Sequence, residues 1–474
     1  MRRVVGHPRP PSPRRDPRPR HYAGPVTEPR PARAAGAAVA RGLVEVGAHP
    51  LALWSAFGLI HVWLIAYNLV GPGLPLGDVT LVYRFWVEQG LIANDWVGID
   101  SSWVYPIVAL VPMIAAYALG PDPYPVVWLV IVMLMNAGAL LVIAGTGRRV
   151  RDAAAAWWWM LFLLALGPIA LGRIDSITAP LAVAAVALLA RHPRTAAGLL
   201  ALAAWIKVWP AAILLAAVIG LRERARIVLA TVAVTMVVVA GGLAVGAGAS
   251  LLSPLTEQSG RGLQVEAPLT TPWLWAAWAG EWSARVYYDR DILTWQVFGE
   301  GSQQAAALAT PLLAIVVLAI VALGLLALRA GAPEERLVPA LALALVAALI
   351  VVNKVGSPQF GTWLAAPVIL GILWRARSGA SFAVPAGLAL AIGALTQAVY
   401  PFQYGELLGL QAPLVVILTL RNALDVVLLV WAVAAVVRAR SPRQARAEHP
   451  PRPRHGTLEV DGPAGRARDR EPHS

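Results

Sequence analysis

The sequence predicts an all-α polytopic membrane protein, on three observations. Hydrophobic residues make up 58% of the 474 and charged residues only 14%, against about 25% charged in a soluble domain. Apolar runs of roughly 17–25 residues recur along the chain, each long enough to cross a bilayer as a helix. Arg collects in two tails and in short loops between those runs, which is the positive-inside pattern of a cytoplasmic face. The net charge of +13 is therefore a topology signal, and no nucleic-acid partner is expected. The absence of Cys excludes disulfides, thiol catalysis and thiolate metal sites.

One multi-spanning domain is expected over residues 49–438. Pro/Arg-rich tails at 1–48 and 439–474 read as disordered cytoplasmic arms. Residues 1–41 hold no short apolar core followed by a small-residue cleavage site, so the first span is expected to act as a signal anchor. Basic loops at 148–151, 191–194, 222–226, 329–336, 374–377 and from 438 onward are assigned to the cytoplasm. Loops poor in basic residues, at 71–102, 172–176, 250–300, 353–359 and 400–406, are assigned to the outer side.

The elements follow in order. The first span is 49–70, ending at Gly71-Pro72-Gly73. Two apolar runs, 103–119 and 126–145, flank Gly120-Pro121-Asp122-Pro123-Tyr124-Pro125, yet charge requires an odd number of crossings between loops 71–102 and 148–151. The stretch 195–220 lies between two basic loops, so it must cross an even number of times. A half-length, membrane-dipping segment in each place satisfies both. Broken helices are tolerated only where they line a protein-enclosed or watery cavity, so a cavity open to the outer face is expected. The other spans are 153–171, 177–190, 227–248, 304–328, 337–352, 363–373, 382–400 and 414–437. That makes about ten or eleven spanning helices.

Against this apolar background a few polar residues stand out. Asp78, in Gly77-Asp78-Val79-Thr80-Leu81-Val82-Tyr83, lies just beyond the first span, where an enzyme acting on lipid-linked substrates would keep a base. Asp95 and Asp100 compete with it on the same loop, and an exposed loop Asp is commonly a turn or cap residue. Lys207, in Ala204-Trp205-Ile206-Lys207-Val208-Trp209-Pro210, sits mid-run, where an ammonium costs about 2.5–3.5 kcal/mol on insertion scales. It needs either a phosphate or a carboxylate such as Asp175. Lys354, on the outer side, is read as a binding residue or a helix-end snorkel. The loop Glu257-Gln258-Ser259-Gly260-Arg261-Gly262-Leu263-Gln264-Val265-Glu266 is either a surface for hydroxyl-rich or phosphate ligands or an ordinary polar loop. Most of the 19 Trp are expected to be interfacial anchors. No His/Glu metal spacing, phosphate-binding glycine loop or nucleophile elbow is present.

The order of these features resembles the GT-C fold glycosyltransferases, in particular glycosyltransferase family 87. The resemblance rests on Gly77-Asp78-Val79 with Tyr83, Tyr105-Pro106, Lys207-Val208-Trp209-Pro210, Arg261-Gly262-Leu263-Gln264-Val265-Glu266 and Asn353-Lys354-Val355-Gly356-Ser357-Pro358-Gln359-Phe360. Gly172-Arg173-Ile174-Asp175 stands where relatives often carry Gly-Gln-x-Asn. It implies a GT-C-type helical bundle with an outward-facing catalytic loop. The implied activity moves a sugar, mannose in the family's polyprenyl-phosphate-mannose-dependent members, from a polyprenyl phosphate to a hydroxyl on a lipid, glycan or protein, with inversion, on the outer side of the plasma membrane. Asp78 matches the family's general base. Tyr83, Tyr105, Arg173, Asp175, Lys207, Arg261, Gln264, Glu266, Lys354 and Gln359 are the implied substrate-binding residues. Lys207, Lys354 and Arg261 would face the leaving phosphate. No cofactor and no obligatory metal are expected, although Asp78 with Asp100 could hold a divalent ion. A secondary transporter or lipid flippase is the alternative, for which inverted repeats and mid-membrane acids would speak. A non-catalytic envelope-assembly protein is the third reading.

Overall fold

The computed structural model describes residues 47–257, 261–290 and 292–439. The tails expected at 1–48 and 439–474, except residues 47, 48 and 439, lie outside the described residues, as do 258–260 and 291. Helix α1 (Pro50–Val70) leads into a π-helical turn at Asp78–Tyr83, α2 (Arg84–Ala93) and α3 (Leu110–Ala116). Next come α4 (Tyr124–Ala144), α5 (Ala153–Leu166), α6 (Asp175–Leu188), α7 (Pro193–Ala204), α8 (Pro210–Gly220), α9 (Arg224–Ala244) and the single turn α10 (Ser253–Thr256). A cap follows, made of α11 (Thr271–Trp278) and a hairpin of β1 (Arg285–Asp289) and β2 (Thr294–Phe298). The chain closes with α12 (Ser302–Arg329), α13 (Glu334–Val351), α14 (Ala365–Ser378), α15 (Ala383–Val399), α16 (Tyr404–Leu408) and α17 (Ala412–Arg438).

Helix α13 is the axis of the bundle. Leu337 to Ala348 are buried on every side, as a helix apolar all round should be. Helices α8, α12, α14 and α17 pack against it. Helices α4, α7 and α14 pack around α6, and α9 lies outermost against α7 and α8.

The loops sort onto two ends as their charge predicts. At one end Arg222 pairs with Glu334 at 3.5 Å, Arg377 pairs with Glu335 at 3.1 Å, and Arg336 donates to the Ser378 carbonyl. At the other, the Pro75 carbonyl reaches Arg173, and the Glu266 carbonyl reaches Arg421. The parity requirement is met as well. Tyr117 packs edge-on against Tyr124 at the start of α4. The electrostatic influence of Arg84 and Glu88 on Tyr124 also places that helix start near α2. So the short α3 stays at this end, and α4 alone makes the crossing.

Residues 193–220 fold as two short helices, α7 of 12 residues and α8 of 11, broken at 205–209. Pro210 opens α8, where its missing N–H costs nothing, and so α7 cannot run on through it. Each half is about 17 Å long at 1.5 Å per residue, half of a ~30 Å hydrocarbon core. The pair enters from the basic end and returns to it.

Two features refine the expected all-α bundle. Six helices are long and apolar enough to cross a membrane among the described residues: Pro50–Val70, Tyr124–Ala144, Ala153–Ala170, Arg224–Ala244, Ser302–Arg329 and Ala412–Arg438. The shorter spans expected at 177–190, 337–352, 363–373 and 382–400 correspond to α6, α13, α14 and α15, which run between the same two ends with fewer residues or more charge. The other apolar runs are cut short by breaks such as 205–209 and the 3₁₀ turn Pro358–Leu364, and α13 opens on Glu334, Glu335 and Arg336. The all-α expectation also left out the hairpin. Its strands pair Tyr287 with Gln296 and Tyr288 with Trp295, and such aromatic and β-branched residues suit a half-buried pleated surface. A separate small core of Val265, Leu274, Val297, Val399, Leu407, Leu414, Val415 and Leu418 fixes the cap to the bundle.

Candidate active site

The π-helical turn presents Asp78. Thr80 ties back to the Leu76 carbonyl through both its backbone N–H and its hydroxyl, a local bond that bends helices. The turn grips the 172–174 loop at both ends. Asp78 Oδ2 lies 3.1 Å from Arg173 Nε, and the Tyr83 hydroxyl accepts from the Ile174 N–H at 3.2 Å. Arg173 is buried and engages four of its five donors, for beside the Asp78 contact Nη1 donates to the carbonyls of Pro75 and Gly172 and Nη2 to the Tyr400 hydroxyl. Burial opposes its charge, but Asp78 and Tyr400 outweigh that and its pKa is raised. The Asp78 side chain is 39% exposed, and only Oδ2 is held among the described residues.

Lys207 sits at the apex of the α7–α8 break. Its Nζ lies 2.9 Å from Asp175 Oδ2 at the start of α6. Helix α6 has 14 residues and α7 has 12, and a short loop joins them. Their far ends therefore reach the same height, about 20 Å from the basic end. Asp175 is completely buried and accepts from Trp209 Nε1 at 3.1 Å and the Thr178 hydroxyl at 3.2 Å. Tyr105, Phe360 and Trp363 surround the ammonium, with ring centres 5.3 to 5.9 Å away. Of the two partners open to Lys207 in the sequence, the carboxylate is the one in contact.

The third part is made by two loops that touch. Gln264 N–H donates to the Lys354 carbonyl at 3.0 Å, and Gly356 N–H donates to Gln264 Oε1 at 3.2 Å. A Cβ on Gly356 would lie 2.1 Å from the Ala267 nitrogen, so only glycine permits this approach. The hairpin pins the same segment through Val297 to Leu263 and Val265 to Trp295. Lys354 is 5% exposed. Burial, and then the neighbouring Arg261, push its ammonium pKa down. Burial also lowers Arg261, with Tyr105, Glu257 and Asp289 pulling the other way. Arg261 Nε is buried without a partner among the described residues. Two desolvated cations are thus held within repelling distance.

Glu266 closes the cluster. Burial raises its carboxyl to about 7 against the opposing pull of Arg421 and Arg173. Arg421 Nη2 donates to the Glu266 carbonyl at 2.6 Å and lies 4.0 Å from its Oε2.

Asp78, Tyr83, Arg173 and Asp175 are therefore joined through the 172–175 loop. Tyr105, in ring contact with Tyr83 at 6.3 Å, links that group to Lys207 and Arg261. Gln264, Glu266 and Lys354 join through the touching loops. Gln359 bonds within its own segment to Ser357, and its Oε1 has no partner among the described residues. Asp95 accepts from Gln89 and Asp100 from the Trp96 N–H, so both serve the local turn. Among the described residues, no group of three or more His, Cys, Asp or Glu is placed to hold a metal ion. Two surface clefts, of about 460 and 380 Å³, are lined by other residues, 218–232 and 94–245.

Sequence reasoning missed Tyr400, Trp209, Thr178 and Arg421 as partners of the cluster. Arg421 had a legible signal, for Arg421, Asn422 and Asp425 interrupt the apolar run of α17. Asp425 is a buried carboxylate halfway along a span-length helix.

The family model for Glycosyltransferase family 87 matches residues 103–287. That stretch holds Tyr105, Arg173, Asp175, Lys207, Arg261, Gln264 and Glu266, and it bears out the resemblance carried by the motifs. The matched stretch sits in an all-α bundle with six span-length apolar helices among the described residues, and Asp78, Lys354 and Gln359 lie outside the match. No curated protein and no solved structure matches the chain.

Proposed function

We propose that this protein is a membrane glycosyltransferase that transfers a sugar, with mannose the first candidate, from a polyprenyl phosphate to a hydroxyl acceptor. The reaction takes place on the outer side of the plasma membrane, with inversion. The observation that carries the reading is the half-exposed Asp78, one oxygen held by Arg173, in a cluster that also contains the partly buried Arg261 and the buried Lys354. Asp78 Oδ1 accepts the acceptor's hydroxyl proton as that oxygen bonds to the anomeric carbon. The bond from that carbon to the phosphate oxygen breaks, and its electron pair leaves with the lipid phosphate. That leaving group needs positive charge rather than a proton, and a shielded site makes fixed charge effective. Arg261, whose Nε is buried without a partner among the described residues, fills this role better than Lys207, whose charge Asp175 already balances. The aromatic wall of Tyr105, Phe360 and Trp363 suits a sugar face or an isoprenoid chain.

The test is transfer by purified protein from polyprenyl-phosphate-mannose, comparing wild type with Asp78→Asn. General-base assistance is worth roughly 10²–10⁴-fold, so a loss of at least about a hundredfold is expected. Turnover near wild type would remove Asp78 as the base. Asp425, a mid-helix acid, favours the transporter or flippase alternative. Lipid flipping by the same preparation without any sugar transfer would decide for it.

A further inference from the structure

We infer that the groove between α8 and α9 is a binding site for an anionic phospholipid, with the headgroup on Arg224. The groove measures about 460 Å³ and is lined by Val218, Arg224, Ala225, Val228, Leu229 and Val232. Every lining side chain but one is apolar, and the exception, Arg224, lines the end of the groove where α9 begins with its aliphatic stem, leaving the guanidinium at the rim. Three arginines lie at that end. Arg222 is bound to Glu334 and Arg226 to Glu223. Arg224 makes no ion pair among the described residues, so it is the cation left for an outside anion.

The surroundings favour a lipid over other anions. Helix α9 is the outermost helix, with only Ile227 and Gly242 buried along its 21 residues. Leu229 and Val232 beside the groove are 66% and 50% exposed. An acyl chain in the groove would cover them while its phosphate meets the guanidinium. A free phosphate would leave the apolar wall uncovered, and a neutral lipid would leave Arg224 unpaired. This end also carries the basic loops, and anionic lipids concentrate at the cytoplasmic leaflet, where each basic residue gains about 1 kcal/mol. The site has a structural consequence. Its two walls belong to α8 and α9, and α8 is half of the pair that holds Lys207 at its apex. A lipid wedged there braces that pair from outside.

The experiment uses the full chain in nanodiscs of phosphatidylcholine alone or of an equal mixture with phosphatidylglycerol, followed by native mass spectrometry of the lipids retained. Wild type is expected to retain one phosphatidylglycerol in preference to phosphatidylcholine, and Arg224→Gln to retain it about fivefold more weakly. Leu229→Trp, which fills the groove, should weaken it too. Arg329→Gln, at the same end but off the groove, should not. Equal retention of both lipids by wild type, or unchanged retention in Arg224→Gln, overturns the site. So does cross-linking of two chains through α9, which would make a second copy the occupant. None of these readouts depends on the sugar-transfer reading.

Discussion

At Lys207 the chain puts an ammonium where only a partner can keep it, and the partner is Asp175. Asp175 is completely buried and the Lys207 side chain is 15% exposed. Removing one member of such a pair strands the other charge, which costs about 3–5 kcal/mol. Lys207→Met should therefore lower the thermal midpoint markedly, whereas Asp175→Asn with Lys207→Met should recover most of it. A double variant as unstable as the single one would show that the pair is not what holds the apex. Activity in the recovered double variant separates two roles for Lys207. Restored transfer means the lysine serves α6 and the apex, and lost transfer means its charge also meets substrate. The need for a partner was legible in the sequence, because a lysine amid an apolar run is costly whatever the fold. Which partner it takes depends on the equal lengths of α6 and α7, which bring Asp175 to its height.

Helix α17 and the cap loop meet at Glu266, and their contact sets a pH dependence. In the unfolded chain this carboxyl titrates near its ordinary 4.5, whereas in the fold burial raises it to about 7. Between those values the folded state binds a proton that the unfolded state has lost. Stability then falls as pH rises, by up to about 1.4 kcal/mol per pH unit for this group. Thermal unfolding from pH 4.5 to 8 should show that decline, and Glu266→Gln should flatten it and be the more stable form above pH 7. A Gln variant with the wild-type slope would place the dependence elsewhere. The contact itself was not legible. Glu266 and Arg421 are far apart in the chain and meet only because the small core of Val265, Leu274 and Leu414 seats the cap against the start of α17. The hairpin escaped for a related reason: five-residue strands give a weak alternation signal inside a long loop.

Over the whole molecule, the charge pattern assigns sides and the bundle sorts the loops accordingly. Glu281 belongs to the cap and Arg329 ends α12 at the basic end. The chain has no Cys, so single cysteines report sidedness cleanly. In intact cells a membrane-impermeant maleimide should label Glu281→Cys, and should reach Arg329→Cys only after permeabilisation. Labelling of both, or of Arg329→Cys alone, would overturn the assigned orientation.

By itself the sequence determined that this protein lives in a bilayer, which loops share an end, and where helices had to break. These follow from composition, charge and crossing parity, all of which are properties of short stretches of chain. It also determined the family likeness, through motifs whose order is visible without coordinates. Only the tertiary structure decided how the polar residues pair. It joined Asp78 to Arg173 and Asp175 to Lys207, and set Arg261 beside Lys354 across the close approach at Gly356. Pairing depends on the height and facing of helices distant in sequence, and packing around α13 sets both.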